Sequence, residues 1–195
     1  MSSFEFLSVL ISVVVGLGLA NMFTGLGRLV HRRQTMSFSL AHAGWSVHLF
    51  LMMVVYWWTV VFGWQDYQNW NILIFLFILV YGFALFMLSA LLYPSEVPER
   101  WDLREHFREI RGWFFAFYFL WFGSEMLDTW LKDHFDDFSW PYVLLMTSWA
   151  ATALWAWASR HRWVHDTVAI FQAATLISWI LYGLRDLEWA RAWAS

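Results

Sequence analysis

Apolar residues along this chain gather in long, unbroken blocks. Six such blocks stand out, at about 4–26, 42–64, 70–93, 113–131, 140–158 and 163–184. Each is close to the ~20 residues that a helix needs to cross a hydrocarbon layer of ~30 Å. Strands of a membrane barrel alternate in polarity over about ten residues, whereas these blocks are apolar throughout. In lipid a segment must satisfy its own backbone, so continuous apolar blocks read as helices. The pattern predicts an all-α polytopic membrane protein, a single membrane domain of six transmembrane helices.

Polar stretches divide the blocks. Arg28, His31, Arg32 and Arg33 follow the first, and Gln65 to Asn69 separate the second from the third. The longest polar stretch, Ser95 to Gly112, precedes the fourth. Within it, Pro98 suits a first helical position. Leu103, Phe107, Ile110 and Phe114 recur at helical spacing with Glu and Arg between them. Residues 98–111 are therefore expected to form a cytoplasmic amphipathic helix on the membrane surface, with Arg100, Arg104, Arg108 and Arg111 facing anionic lipid.

Charge then orients the chain. When the loops are assigned alternately to the two sides, nine of the twelve Lys and Arg residues fall on one side. The positive-inside rule places that side in the cytoplasm. The expectation is an inner (plasma) membrane protein with both termini outside. Tryptophan agrees with these boundaries: Trp64 and Trp70 bracket one outer turn, and Trp130 and Trp140 another. Trp101, Trp113 and Trp163 sit near the inner face. Indole rings favour such belts.

Composition narrows the chemistry. The 195 residues are 61% hydrophobic and 14% charged, with 17 Trp and no Cys. A soluble domain carries nearer a quarter charged residues. The lack of cysteine rules out disulfides, thiolate metal sites and Cys nucleophiles. Lys132 is the only lysine and lies at a span end, which excludes a retinal Schiff base deep in the bundle. There is no phosphate-binding glycine loop, no nucleophile elbow and no HExxH, so no catalytic residue is assigned. Arginines alternate with glutamates, so no nucleic-acid surface is expected. Pro94, Pro98 and Pro141 fall clear of the span interiors, which points to a rigid bundle.

Three sets of residues remain as candidates. Glu125 and Asp128 are three apart, hence on one helix face. Asp128 has Lys132 one turn beyond it. Glu125 is deeper, where a carboxylate facing lipid is costly, so it should face the protein interior or water. Asn21 should hydrogen-bond across to a neighbouring helix. Ser8, Ser12, Gly16, Ala20 and Thr24 form a stripe of small residues that suits close packing, first within the chain and second with another copy or partner. His31, His42, His106, His161 and His165 are skewed to the inner side. His161 and His165 are four apart, a weak metal or haem signal without a fuller ligand motif. No cofactor is expected.

The functional expectation is an oligomeric channel- or transporter-like protein for a cation or proton, using Glu125 and Asp128. One alternative is a non-catalytic membrane subunit or sensor acting through helix contacts. Another is a haem- or metal-binding protein using the inner histidines. The partners expected are the lipid bilayer and a second copy or membrane protein.

Overall fold

The computed structural model describes residues 3–65, 67, 69–96, 101–132 and 140–183. Among them are six α-helices: α1 (Ser3–His31), α2 (Leu40–Gly63), α3 (Ile72–Leu92), α4 (Leu103–Leu131), α5 (Trp140–Ala158) and α6 (Arg162–Gly183). Two short strands, β1 (Met36–Ser37) and β2 (Trp101–Asp102), pair in parallel and tie the α1–α2 link to the start of α4.

Local chemistry sets the helix starts. The Ser39 side chain accepts from the His42 amide at 3.3 Å, so α2 begins two residues before its apolar block. Asn71 accepts from the Leu73 and Ile74 amides at 2.9 and 3.1 Å and starts α3. Asp102 does the same for α4, accepting from Arg104 at 2.9 Å. Each side chain satisfies amides that a helix cannot pair internally. Pro141 sits in the first turn of α5, where its missing N–H costs nothing.

The 98–111 stretch differs from expectation. Its part within the described residues is not a separate helix: Trp101 and Asp102 are strand, and Leu103 opens a helix that runs unbroken to Leu131. At ~1.5 Å per residue that helix is about 43 Å long. Its apolar face does not lie on a surface. Leu103, Phe107 and Phe114 are buried in the protein, with the Phe107 ring 5.7 Å from that of His165. Arg100 lies outside the described residues.

Helix α2 is the hub, packing against α1, α3, α4 and α6. Its buried residues include Trp45, Leu49, Met52, Met53, Tyr56 and Val60, whose helical spacing sets them on one broad face, while Val47 and Val54 on the opposite side are exposed. Close approach is allowed by glycine. A Cβ on Gly44 would stand 2.9 Å from the Ala169 Cβ and 3.0 Å from its carbonyl carbon, so α2 and α6 touch nearly backbone to backbone. A Cβ on Gly25 would fall 2.2 Å from the Tyr93 ring.

Four helices, α1, α2, α3 and α6, are long and apolar enough to cross a membrane. Helices α4 and α5 are long enough, but tryptophan, tyrosine and the two carboxylates lower their apolarity. Both still turn large apolar side chains outward, among them Trp113, Leu120, Leu127 and Trp130 on α4 and Leu144, Leu154 and Trp155 on α5.

Candidate functional site: a carboxylate cluster over an aromatic cavity

Glu125 and Asp128 share one face of α4 and meet different partners. Asp128 is buried at the C-terminal end of α2. Its Oδ1 accepts from the Trp64 indole at 2.7 Å and its Oδ2 lies 2.6 Å from Lys132 Nζ. The lysine also donates to the Thr59 carbonyl at 3.4 Å and lies 5.5 Å from the centre of the Trp64 ring. Gly63 makes room for it, since a Cβ there would be 2.7 Å from Nζ. Asp128 is therefore a neutralised, structural carboxylate.

Glu125 is held otherwise. One oxygen accepts a short hydrogen bond from the Tyr81 hydroxyl of α3. The other accepts from the Tyr142 hydroxyl of α5 at 3.4 Å. Thr129 fixes Tyr142 at 3.1 Å. Among the described residues no cationic side chain pairs with Glu125. The carboxylate is partly buried and lines a cavity of about 70 Å³, walled by Tyr56, Tyr81, Trp121, Tyr142, Trp149 and Trp179. One water needs roughly 10–15 Å³ by this measure, so a few waters or a small cation fit. The site is a carboxylate facing an aromatic-walled hollow, contributed by α2 to α6.

Beyond the cavity, polar groups continue into the core. Gln172 of α6 is fully buried. Its amide donates to the Trp149 carbonyl at 3.1 Å and to Thr152 at 3.2 Å, and its oxygen accepts from Tyr118 at 2.8 Å. His48 is enclosed by rings, 5.0 Å from Trp149 and 5.6 Å from Trp45, and bonds to no described side chain. Gln172 was missed by the sequence reading. A glutamine in an apolar block is itself a signal for an interhelical bond.

The remaining candidates fall into other roles. Asn21 donates to the Ser89 and Tyr93 carbonyls at 3.0 and 3.3 Å, at the end of α3. His42 donates to the Leu92 carbonyl at 3.0 Å, His106 to that of Leu91 at 2.9 Å, and Arg28 to that of Ser95 at 2.6 Å. His42 and His106 thus satisfy two carbonyls that α3 leaves unpaired at its C-terminus, while Asn21 and Arg28 fix the chain that leaves the helix. His165 donates to the Ser159 carbonyl at 3.2 Å, and so caps α5. His161 precedes α6, so it does not share a helix face with His165. Among the described residues no group of three His, Asp or Glu side chains is arranged to hold a metal.

The small-residue stripe is only in part an intramolecular contact. Ser12 accepts from the Trp57 indole at 3.0 Å. Ser8 is partly buried, but Gly16, Ala20 and Thr24 are exposed, and nothing lies within 4 Å of a Cβ placed on Gly16. The buried face of α1 is instead Leu7, Ile11, Val15, Gly18, Met22 and Gly25. The stripe drifts off this face because a four-residue step turns 400° on a helix of 3.6 residues per turn.

The fold and site define an all-helical protein with at least four helices suited to a membrane and a carboxylate facing an internal hollow. No protein-family model matches the chain, and no curated protein and no solved structure is similar to it.

Proposed function

We propose that this is a non-enzymatic protein of the inner membrane that crosses the bilayer six times, with both ends outside, and passes a proton or small cation by way of Glu125. The observation that carries the reading is the contrast between two carboxylates one turn apart. Asp128 is paired directly with Lys132, whereas Glu125 feels that lysine only at longer range, bonds to phenols and has a hollow in front of it. A carboxylate inside a membrane with no cation bound directly to it is a place for an exchangeable one. Tyr81 and Tyr142 hold it in position and can relay a proton.

Six crossings are supported by the outward apolar surface of α4 and α5, because soluble proteins rarely present apolar surface on this scale. Tryptophan rings on both helices suit the lipid boundary. Single introduced thiols test the topology: one at Gln65 reacts with an impermeant reagent from outside, and one at Glu105 only after permeabilisation. The opposite result inverts the orientation.

The functional test is flux into proteoliposomes, driven by a proton or monovalent cation gradient. Glu125→Gln abolishes it and Tyr81→Phe slows it. Flux equal to wild type in Glu125→Gln removes the carboxylate from any pathway.

A second reading has its own observation. The exposed run Gly16, Ala20 and Thr24 suits docking of another helix, from a second copy or a membrane partner. On that reading Gly16→Leu leaves the fold intact and abolishes assembly, and the chain alone carries no flux.

A further inference from the structure

Five guanidinium groups from two distant stretches of the chain converge on one hollow at the end of the bundle remote from Glu125. The hollow measures about 470 Å³. Arg104, Arg108 and Arg111 reach it from the first turns of α4, and Arg160 and Arg162 from the α5–α6 turn. Three carboxylates also line it, and each is engaged. Glu105 pairs with Arg108. Asp166 accepts from the Ala41 amide at 2.9 Å and lies 3.6 Å from Arg162. Asp102 caps α4. Arg111 donates to the Ser159 carbonyl at 2.5 Å, which anchors the turn but supplies no counter-charge. Arg111 and Arg160 are thus left without an ion-pair partner among the described residues, and Arg104 has only the nearby charge of Asp102, which is already engaged in capping α4.

Topology alone does not require this. Orienting a chain needs only enough Lys and Arg on one side. It does not require two loops to aim at one concavity. The three carboxylates offset only part of the five guanidinium charges, and like charges repel when gathered, so the remaining excess is disfavoured unless a further anion offsets it. Guanidinium forks match phosphate oxygens in geometry as well as charge. The hollow also adjoins an apolar surface. Trp113 and Trp163, exposed at 69% and 58%, follow closely on Arg111 and Arg162, and exposed Leu40 follows the lining residue Ser39.

We propose that this hollow binds a phosphate group, carried by the headgroup of an anionic phospholipid whose acyl chains lie along the adjoining apolar surface. The proposal is independent of Glu125. A soluble phosphate would use the same arginines, so the experiment separates the two sources.

The full-length chain is purified and exchanged into mixed micelles of phosphatidylglycerol and phosphatidylcholine in equal parts. Retained lipid is then read by native mass spectrometry. Phosphatidylglycerol is retained preferentially, and R104A/R160A weakens that retention about tenfold or more, while R33A, an arginine outside the hollow, leaves it unchanged. A second measurement needs no variant. Phenylglyoxal modifies Arg104 and Arg160 of the native chain, and vesicles containing phosphatidylglycerol slow this where pure phosphatidylcholine vesicles do not. Protection by inorganic phosphate but not by phosphatidylglycerol overturns the lipid and leaves a soluble phosphate site. Equal retention of the two lipids, with no protection by either phosphatidylglycerol or phosphate, overturns the site altogether, as does an equal effect of R33A and R104A/R160A.

Discussion

The Trp64 indole donates to Asp128 over 2.7 Å, joining the residue that caps α2 to the last turn of α4. The same carboxylate binds Lys132, whose side chain is 9% exposed against 7% for Asp128. Such a pair is held by mutual need. Removing one partner of a buried ion pair leaves a charge with no compensation, at a cost of about 3–5 kcal/mol. Lys132→Met therefore destabilises the protein strongly, and D128N/K132M recovers most of the loss. Thermal unfolding in detergent measures both. A double variant as unstable as the single one shows that the lysine stem matters more than its charge.

How much of this was legible beforehand depends on the distance over which each feature is decided. The positions of the helices were plain from apolar block length, a local property. The starts of α2 and α3 moved by two residues and that of α4 by ten, because Ser39, Asn71 and Asp102 cap them, and capping is a matter of single side chains. The pairing of Asp128 with Lys132 was foreseeable, being one turn apart on one helix. The phenols around Glu125 were not, since Tyr81 and Tyr142 arrive from other helices. Nor was the role of the histidines: His42 and His106 read only as residues skewed to the inner side, and their bonds to Leu92 and Leu91 depend on where the end of α3 lies. Which helix the small-residue stripe faces was not legible either, because its four-residue spacing turns it away from the face that α1 buries within the chain.

Gln172 ties three helices at one point: its own α6, α4 through Tyr118, and α5 through Trp149 and Thr152. Interhelical hydrogen bonds in membranes average about 0.6 kcal/mol and reach about 1.7. Gln172→Leu, which keeps the volume, is expected to cost about 1–2 kcal/mol. Tyr118→Phe costs less, because Gln172 keeps its other two bonds. A double-mutant cycle between the two yields a coupling that a pair of independent sites would lack.

Two glycines on α1 respond in opposite ways to the same change. Gly25→Ala drives a methyl into the Tyr93 ring, whose hydroxyl is fixed to Ser46 at 2.7 Å and whose face is met by His42. Overpacking of this kind costs about 1–3 kcal/mol. Gly16→Ala meets open space, and alanine is the better helix former by up to about 1 kcal/mol. Unfolding by a denaturing detergent should place the two variants on either side of wild type. The reverse order shows that the stripe, and not the Gly25 face, carries the packing of α1.

Acid acts at His106. The ring is half-buried under Trp101, with centroids 5.2 Å apart, and its Nε2–H donates to the Leu91 carbonyl. Burial depresses its affinity for a proton, and this outweighs the opposing pull of the Leu91 carbonyl and of Glu109. The folded protein thus binds fewer protons here than the unfolded chain once the pH falls below the ordinary value of about 6.5. Stability at this site is complete above that value and declines as pH falls through the depressed one. Thermal unfolding should lose more on going from about pH 7.5 to about pH 5 in wild type than in His106→Gln, which can donate the same bond without titrating. An identical acid sensitivity in the two proteins assigns the titration to other groups and leaves His106 as a cap for α3 alone.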